Sequence, residues 1–139
     1  MKNKSNISHY VDNEVFTAAI IDYVDQYKAA IAEDYELPQM SNYLGESILL
    51  IATRLSFKTN FQSCNYRDDM VSEAVLSCVK YITNFDPDIS RNGFAYVSQI
   101  CYFAFVRRTQ KELARVLHNH LGRLTDDEII AAAKTSTQR

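Results

Sequence analysis

Three features of the sequence predict an all-α fold of about four helices followed by a short C-terminal helix. Apolar residues recur every three or four positions in four separate stretches, the spacing that lines one face of a helix. With only 3 Gly and 2 Pro in 139 residues, breakers are few, and Leu37-Pro38, Asp86-Pro87 and Asn92-Gly93 fall between those stretches. A composition of 47% apolar residues suits a compact helical protein. No part reads as β-structure, although Tyr43 to Leu55 is β-tolerant by composition.

Residues 1–12 are polar and read as a flexible N-terminus. Asn13 is a plausible N-cap, and Phe16, Ala19, Ile20, Tyr23, Val24, Tyr27 and Ile31 then mark an amphipathic helix that ends near Glu33. Ser41 or Asn42 caps a second helix, with Leu44, Ile48, Ile51, Ala52 and Leu55 facing inward. Residues Phe57 to Asn65 lack periodicity and read as a loop. A third helix spans about Arg67 to Thr83. Its face of Met70, Val71, Ala74, Val75, Cys78, Val79 and Ile82 is about two residues wide per turn, leaving Asp69, Glu73 and Lys80 on the other side.

The fourth helix, about Phe94 to His118, is unusual. Phe94, Tyr96, Tyr102, Phe103 and Phe105 crowd into twelve positions, and a run of positive charge follows at once. A buried face does not need so many rings. Gly122 then offers a left-handed helix end, and Thr125-Asp126-Asp127-Glu128 is a capping box that opens a short helix to Lys134. The domain is expected over residues 13–120, with 121–139 as a short helical extension.

Length bounds the chain to one domain. No run reaches the roughly 18 apolar residues of a membrane span, and Met1 to Ser8 lacks the apolar core of a signal peptide, so a cytoplasmic protein is expected. Cys64, Cys78 and Cys101 are odd in number and widely spaced, and two of them sit on apolar helical faces as small hydrophobes. Net charge is −2, but unevenly spread. Residues 1–106 hold 8 Lys and Arg against 13 Asp and Glu, whereas residues 107–123 hold 5 against 1. An acidic body with one basic end suits a protein that meets nucleic acid in one place. A solvated helix end, where the dipole favours cations, explains the same charges more plainly.

Catalytic chemistry finds no support. Gly45, Gly93 and Gly122 are too sparse for a phosphate loop, and His118 and His120 point to different helix faces. Asp68, Asp69 and Glu73 sit at a helix start and Asp126 to Glu128 in a capping box, where acids are expected without a metal. No Ser or Cys has a candidate base. A non-enzyme without cofactor or metal is expected.

The order Asp69-Met70-Val71-Ser72-Glu73, Phe85-Asp86-Pro87 and an aromatic helix ending in Arg107-Arg108 resembles region 2 of bacterial sigma factors. With Tyr10-Val11-Asp12-Asn13, Ala19-Ile20-Ile21-Asp22, Leu50-Ile51-Ala52, Ala95-Tyr96 and Ala104-Phe105-Val106, the resemblance extends to the late-transcription sigma factors of T-even-like tailed phages. It covers roughly residues 10 to 115.

What this resemblance implies is a sigma region 2-like helical domain that binds host core RNA polymerase in the host cytoplasm and recognises and melts the minus-ten-type element of A·T-rich late promoters. Asp69, Ser72, Glu73 and Val79 match the positions that grip the clamp helices of the largest polymerase subunit. Tyr96 matches the tyrosine that stacks on a flipped adenine. Two adjacent tryptophans of housekeeping sigma factors correspond to Gln99 and Ile100, a departure that implies weaker melting. The phage relatives rely on a sliding clamp and a co-activator, which become further expected partners, though residues 134–139 lack the acidic character of a clamp-binding tail.

Spacing adds to this picture. Asp69 and Glu73 stand at i and i+4, and Tyr96, Gln99, Phe103 and Arg107 form one stripe opposite Val97, Ile100, Cys101, Ala104 and Phe105. Rings stack on unpaired bases, and Arg107, Arg108, Lys111 and Arg115 suit phosphate. Plainer readings stand beside these: two acids on an ordinary solvated face, and Tyr102 and Phe103 as core rings. A sigma-like adaptor or inhibitor that occupies the clamp without initiating is the alternative function. An ordinary helix-turn-helix repressor has no symmetric dimerisation helix here to support it.

Overall fold

In the computed structural model the described residues are 10–58, 61, 65–122, 127, 128 and 131, and they contain helices and no strand. The expected four helices are present as α1 (Asn13–Ala32), α2 (Asn42–Ser56), α3 (Arg67–Tyr81) and α4 (Gly93–Leu121), with a 3-10 turn at Ile82–Asn84. The chain divides into two compact units, Met1–Phe105 and Val106–Arg139. Residues 1–9 of the expected N-terminal tail and most of the loop after Phe57 lie outside the described residues, as does most of the expected C-terminal helix; Tyr10 and Val11 of that tail are half-buried and buried. None of the described helices is long and apolar enough to cross a membrane.

The cap of α1 is Asp12, not Asn13. Asp12 Oδ1 accepts from the Glu14 and Val15 N–H groups at 3.0 and 3.2 Å, satisfying two of the donors a helix start leaves over. Asn13 serves α4 instead. At the other end, Asp34 adopts φ 59°, and the Tyr35 N–H donates to the Ala30 carbonyl while that of Asp34 reaches Ile31. This is the Schellman closure, with Asp in the place usually held by Gly. Ile31, expected inside, is 59% exposed, and Ala30 is buried in its stead. The neighbours of this last turn, not its periodicity, decide which residue they cover.

Ser41 caps α2, its hydroxyl accepting from Leu44 N–H at 3.2 Å. Leu44, Ile48, Ile51 and Ala52 are buried as expected, Leu55 only half so. Arg67 closes the crossing that follows. Its guanidinium donates to the Ser56 and Phe61 carbonyls and lies 4.2 Å from the Phe57 ring centroid.

In α3 the core face is one residue wide per turn, narrower than the sequence predicts. Met70, Ala74 and Cys78 are buried at i, i+4 and i+8, with Ile82 beyond; Val71 and Val75 are half-buried and Val79 is 45% exposed. That row is the one its neighbours cover: α3 is in contact with α2, and Cys78 meets Val97 and Cys101 of α4. The helix tightens at Tyr81 into the 3-10 turn, short of the expected Thr83.

The start of α4 is tied down from elsewhere in the chain. The Gly93 N–H donates to Thr17 Oγ1 (2.8 Å), that of Phe94 to Asn13 Oδ1 (2.9 Å) and that of Ala95 to Asn92 Oδ1 (2.9 Å). Three leftover donors are thus satisfied by side chains, two of them from α1. Gly93 is required by close approach: a Cβ there would stand 2.8 Å from Thr17 Oγ1 and Ile20 Cδ1 and 3.1 Å from Thr17 Cα. The helix runs on to Leu121, past His118. Gly122 does not take the left-handed conformation, since no described glycine has positive φ; its N–H continues the helical pattern by donating to the His118 carbonyl.

Phe16 and Ile20 of α1, Leu44, Ile48 and Ile51 of α2, Met70 of α3 and Phe105 of α4 form the fully buried centre of the first unit. Each such side chain contributes about 1.5–3 kcal/mol over leaving it in water. Cys78 and Cys101 are free buried thiols with sulfurs 3.6 Å apart. Their mutual hydrogen bond, together with burial, pushes the Cys78 thiol far up.

Candidate nucleic-acid interface

Within the first unit, α4 has two faces. Val97, Cys101, Ala104 and Phe105 are buried, with Ile100 half-buried beside them. Gln99, Tyr102 and Phe103 are exposed, the two rings by 41% and 50%. Tyr102 leans edge-on against Phe61 (6.0 Å between centroids) and Phe103 (5.7 Å), while Phe61 itself packs on Phe105 at 5.2 Å. Thus Phe105 and Phe61 fill the core, and the two neighbouring rings are left at its edge.

Tyr96 is half-buried rather than turned fully to solvent. Its hydroxyl donates to the Tyr81 carbonyl at 2.9 Å, and its ring meets Phe85 edge-on at 5.1 Å. Burial, helped by the nearby Cys78 thiol, pushes the phenol above its ordinary value, which keeps it a neutral donor. The end of α3 and the turn after it therefore hold this ring in one orientation.

Beside it opens a cleft of about 270 Å³ lined in part by Phe85, Asp86, Ser90, Asn92, Tyr96 and Gln99. Ring walls with a carboxylate, a hydroxyl and amides can take one planar polar group out of water. A second cleft, of about 610 Å³, is lined in part by Tyr10, Arg54, Phe57, Lys58, Phe94 and Ser98. Arg54 lies 4.5 Å from the centroid of Tyr10, whose edge meets Phe94 at 5.9 Å. Burial raises the Tyr10 phenol, and Arg54 opposes the shift. Rings and cations in one concavity suit stacked bases and phosphate, and sequence reasoning missed it. Tyr10, Arg54 and Phe94 come from three distant parts of the chain, so no local spacing could have signalled the cleft.

In the second unit, Arg107, Lys111 and Arg115 are exposed and Arg108 is half-buried. Glu112 binds two of them. Its Oε2 accepts from Arg108 Nη2 at 2.8 Å, and its Oε1 accepts from Arg115 Nη2 at 2.8 Å and from Arg115 Nε at 3.3 Å. The hydrogen bonds from Arg115 foremost, then that from Arg108, hold the carboxyl below its ordinary range. Leu113, Val116 and Leu117 are exposed in the same unit.

On α3, Asp69, Ser72 and Val79 are exposed and Glu73 is half-buried. Leu76, not singled out by the sequence reading, is 71% exposed. Asp69, Ser72, Leu76 and Val79 stand at i, i+3, i+7 and i+10, one row along the helix. The available signal was Leu76's position seven residues after Asp69, outside the Met70–Ala74–Cys78 row. Among the described residues no three His, Cys, Asp or Glu side chains gather as a metal-binding group. No protein-family model matches this chain, and no curated protein matches it significantly.

Proposed function

We propose that this chain is a minimal sigma-type initiation factor of phage kind, which docks on host core RNA polymerase through α3 and captures unpaired bases of an A·T-rich minus-ten-type element on α4. One observation carries the reading: Tyr102 and Phe103 stay at the surface of a helix whose inner face is already filled. Exposed rings side by side with Gln99 suit unstacked bases, at about 1–3 kcal/mol per base stacked. Tyr96, held by Tyr81 and Phe85, forms the wall of a cleft into which one flipped base would turn. Arg107, Arg108, Lys111 and Arg115 would hold duplex phosphates, giving affinity without sequence choice.

The polymerase contact would use Asp69, Ser72, Glu73 and Val79. The acids face basic clamp helices, and Leu76 supplies an apolar anchor of the kind that dominates interface energetics. Such a protein works by binding alone, without cofactor or catalytic group, in the host cytoplasm. A sliding clamp and a co-activator are further partners under this reading. The test is transcription in vitro with host core polymerase on supercoiled phage DNA, with start sites mapped. Glu73→Lys is expected to lose core binding while helicity is retained, and full core binding by that variant would sink the docking assignment.

One observation favours the alternative of a clamp-occupying adaptor or inhibitor: Tyr96 is pinned by its hydroxyl and half-buried, which limits the ring area a base could cover. In the same assay an adaptor binds core polymerase and yields no new start sites.

A further inference from the structure

The basic stretch of the second unit contains a single acid, and its position is particular. Between residues 107 and 123 only Glu112 is negative, and it stands four residues after Arg108 and three before Arg115, so all three side chains meet on one side of the helix. Each carboxylate oxygen is taken: Oε2 by Arg108 and Oε1 by Arg115, both at 2.8 Å. The Glu112 side chain is 14% exposed and that of Arg108 17%, whereas Arg115 is 64% exposed. A carboxylate and a phosphate offer guanidinium groups the same planar pair of acceptor oxygens. Arg108 and Arg115 are therefore bound to a group that resembles the one they would meet on DNA.

We infer that Glu112 is a built-in competitor for the DNA backbone, its carboxylate occupying the guanidinium groups of Arg108 and Arg115 in the free protein and so limiting sequence-independent duplex affinity. The inference rests on the DNA-binding reading given above and adds to it a residue that sets the balance between general and promoter-directed binding. To reach phosphate, the two arginines must exchange one acceptor for another. The net gain per contact falls, and the negative charge of Glu112 repels the approaching backbone. Lys111, which no carboxylate of this stretch holds, keeps its full contribution. A factor that has to find few sites among many would be distracted less by bulk duplex.

Glu112→Gln removes the charge while keeping the side-chain shape and nearly the same helix propensity. Binding of the full chain to a short A·T-rich duplex without a promoter is measured against salt. The variant is expected to bind on the order of tenfold more tightly at low salt, with log K against log salt steeper by about one to two units, since each newly neutralised phosphate adds about 0.9. Arg115→Gln in the Glu112→Gln background should return part of that slope. Glu112→Ala serves as a second removal of the carboxylate, with helicity by circular dichroism recorded for each variant. An unchanged or shallower slope in folded variants, while the parent protein binds duplex, overturns the inference and makes Glu112 a positioning residue for its arginines. Absence of duplex binding by parent and variants alike, even at low salt, overturns the DNA reading itself.

Discussion

From Gly93 to Phe105, α4 buries Val97, Cys101, Ala104 and Phe105 and has its first three N–H groups taken up by Thr17, Asn13 and Asn92. From Val106 to Leu121 it has no buried residue, and Glu112 there accepts from Arg108 and Arg115. The two stretches share a helix but answer to different forces. Packing and capping hold the first, so its side chains are constrained by neighbours far along the chain. The second buries none of its residues, and its contacts among Arg108, Glu112 and Arg115 lie within a turn of each other, where salt screens them. Under the proposed function, the rings that would take bases lie on the packed stretch and the cations that would meet phosphate lie beyond it, where contacts to a backbone would not need fixed geometry.

Three substitutions test that contrast, the largest effect first. Phe105→Ala empties the centre of the rigid stretch and is expected to cost about 3–5 kcal/mol in chemical denaturation. A loss below about 1 kcal/mol there would mean that the first stretch is not held by packing. Gly93→Ala drives a methyl group against Thr17 and Ile20 and is expected to cost about 1–3 kcal/mol. If stability were unchanged, α1 and the start of α4 would have to part easily, and the capping contacts would count for little. Leu113→Ala, on the exposed stretch, is expected to change stability by less than about 0.5 kcal/mol. A large loss would show that the second unit has its own packed core.

Much of this could be read directly from residue order. Pro38 and Asp86-Pro87 fall in the connections between α1 and α2 and between α3 and α4, and Asn92-Gly93 stands at the start of α4, because a breaker acts on its own backbone. The inner positions of α2 followed from period alone. Asn13 shows where that stops. Asp12 and Asn13 are equally good caps by type, and only the approach of α4, some 80 residues later, assigns Asp12 to α1 and Asn13 to Phe94. Val79 makes the same point: period places it with Met70 and Cys78, yet those two are buried and Val79 is 45% exposed. Among the candidate site residues, the stretch carrying the rings and cations was legible, as was the outward stripe that holds Phe103, but the half-burial of Tyr96, its tether to Tyr81 and both clefts were not.

Local chemistry, then, settled the number of helices, their approximate limits, the placing of rings and cations in α4 and the carboxylate set among its arginines. These depend on residues within a turn or two of one another. Tertiary packing decided which apolar rows are covered, which cap serves which helix and how Tyr96 is held. Those outcomes depend on contacts between residues tens of positions apart, whose energies no stretch of sequence contains until the chain has closed on itself.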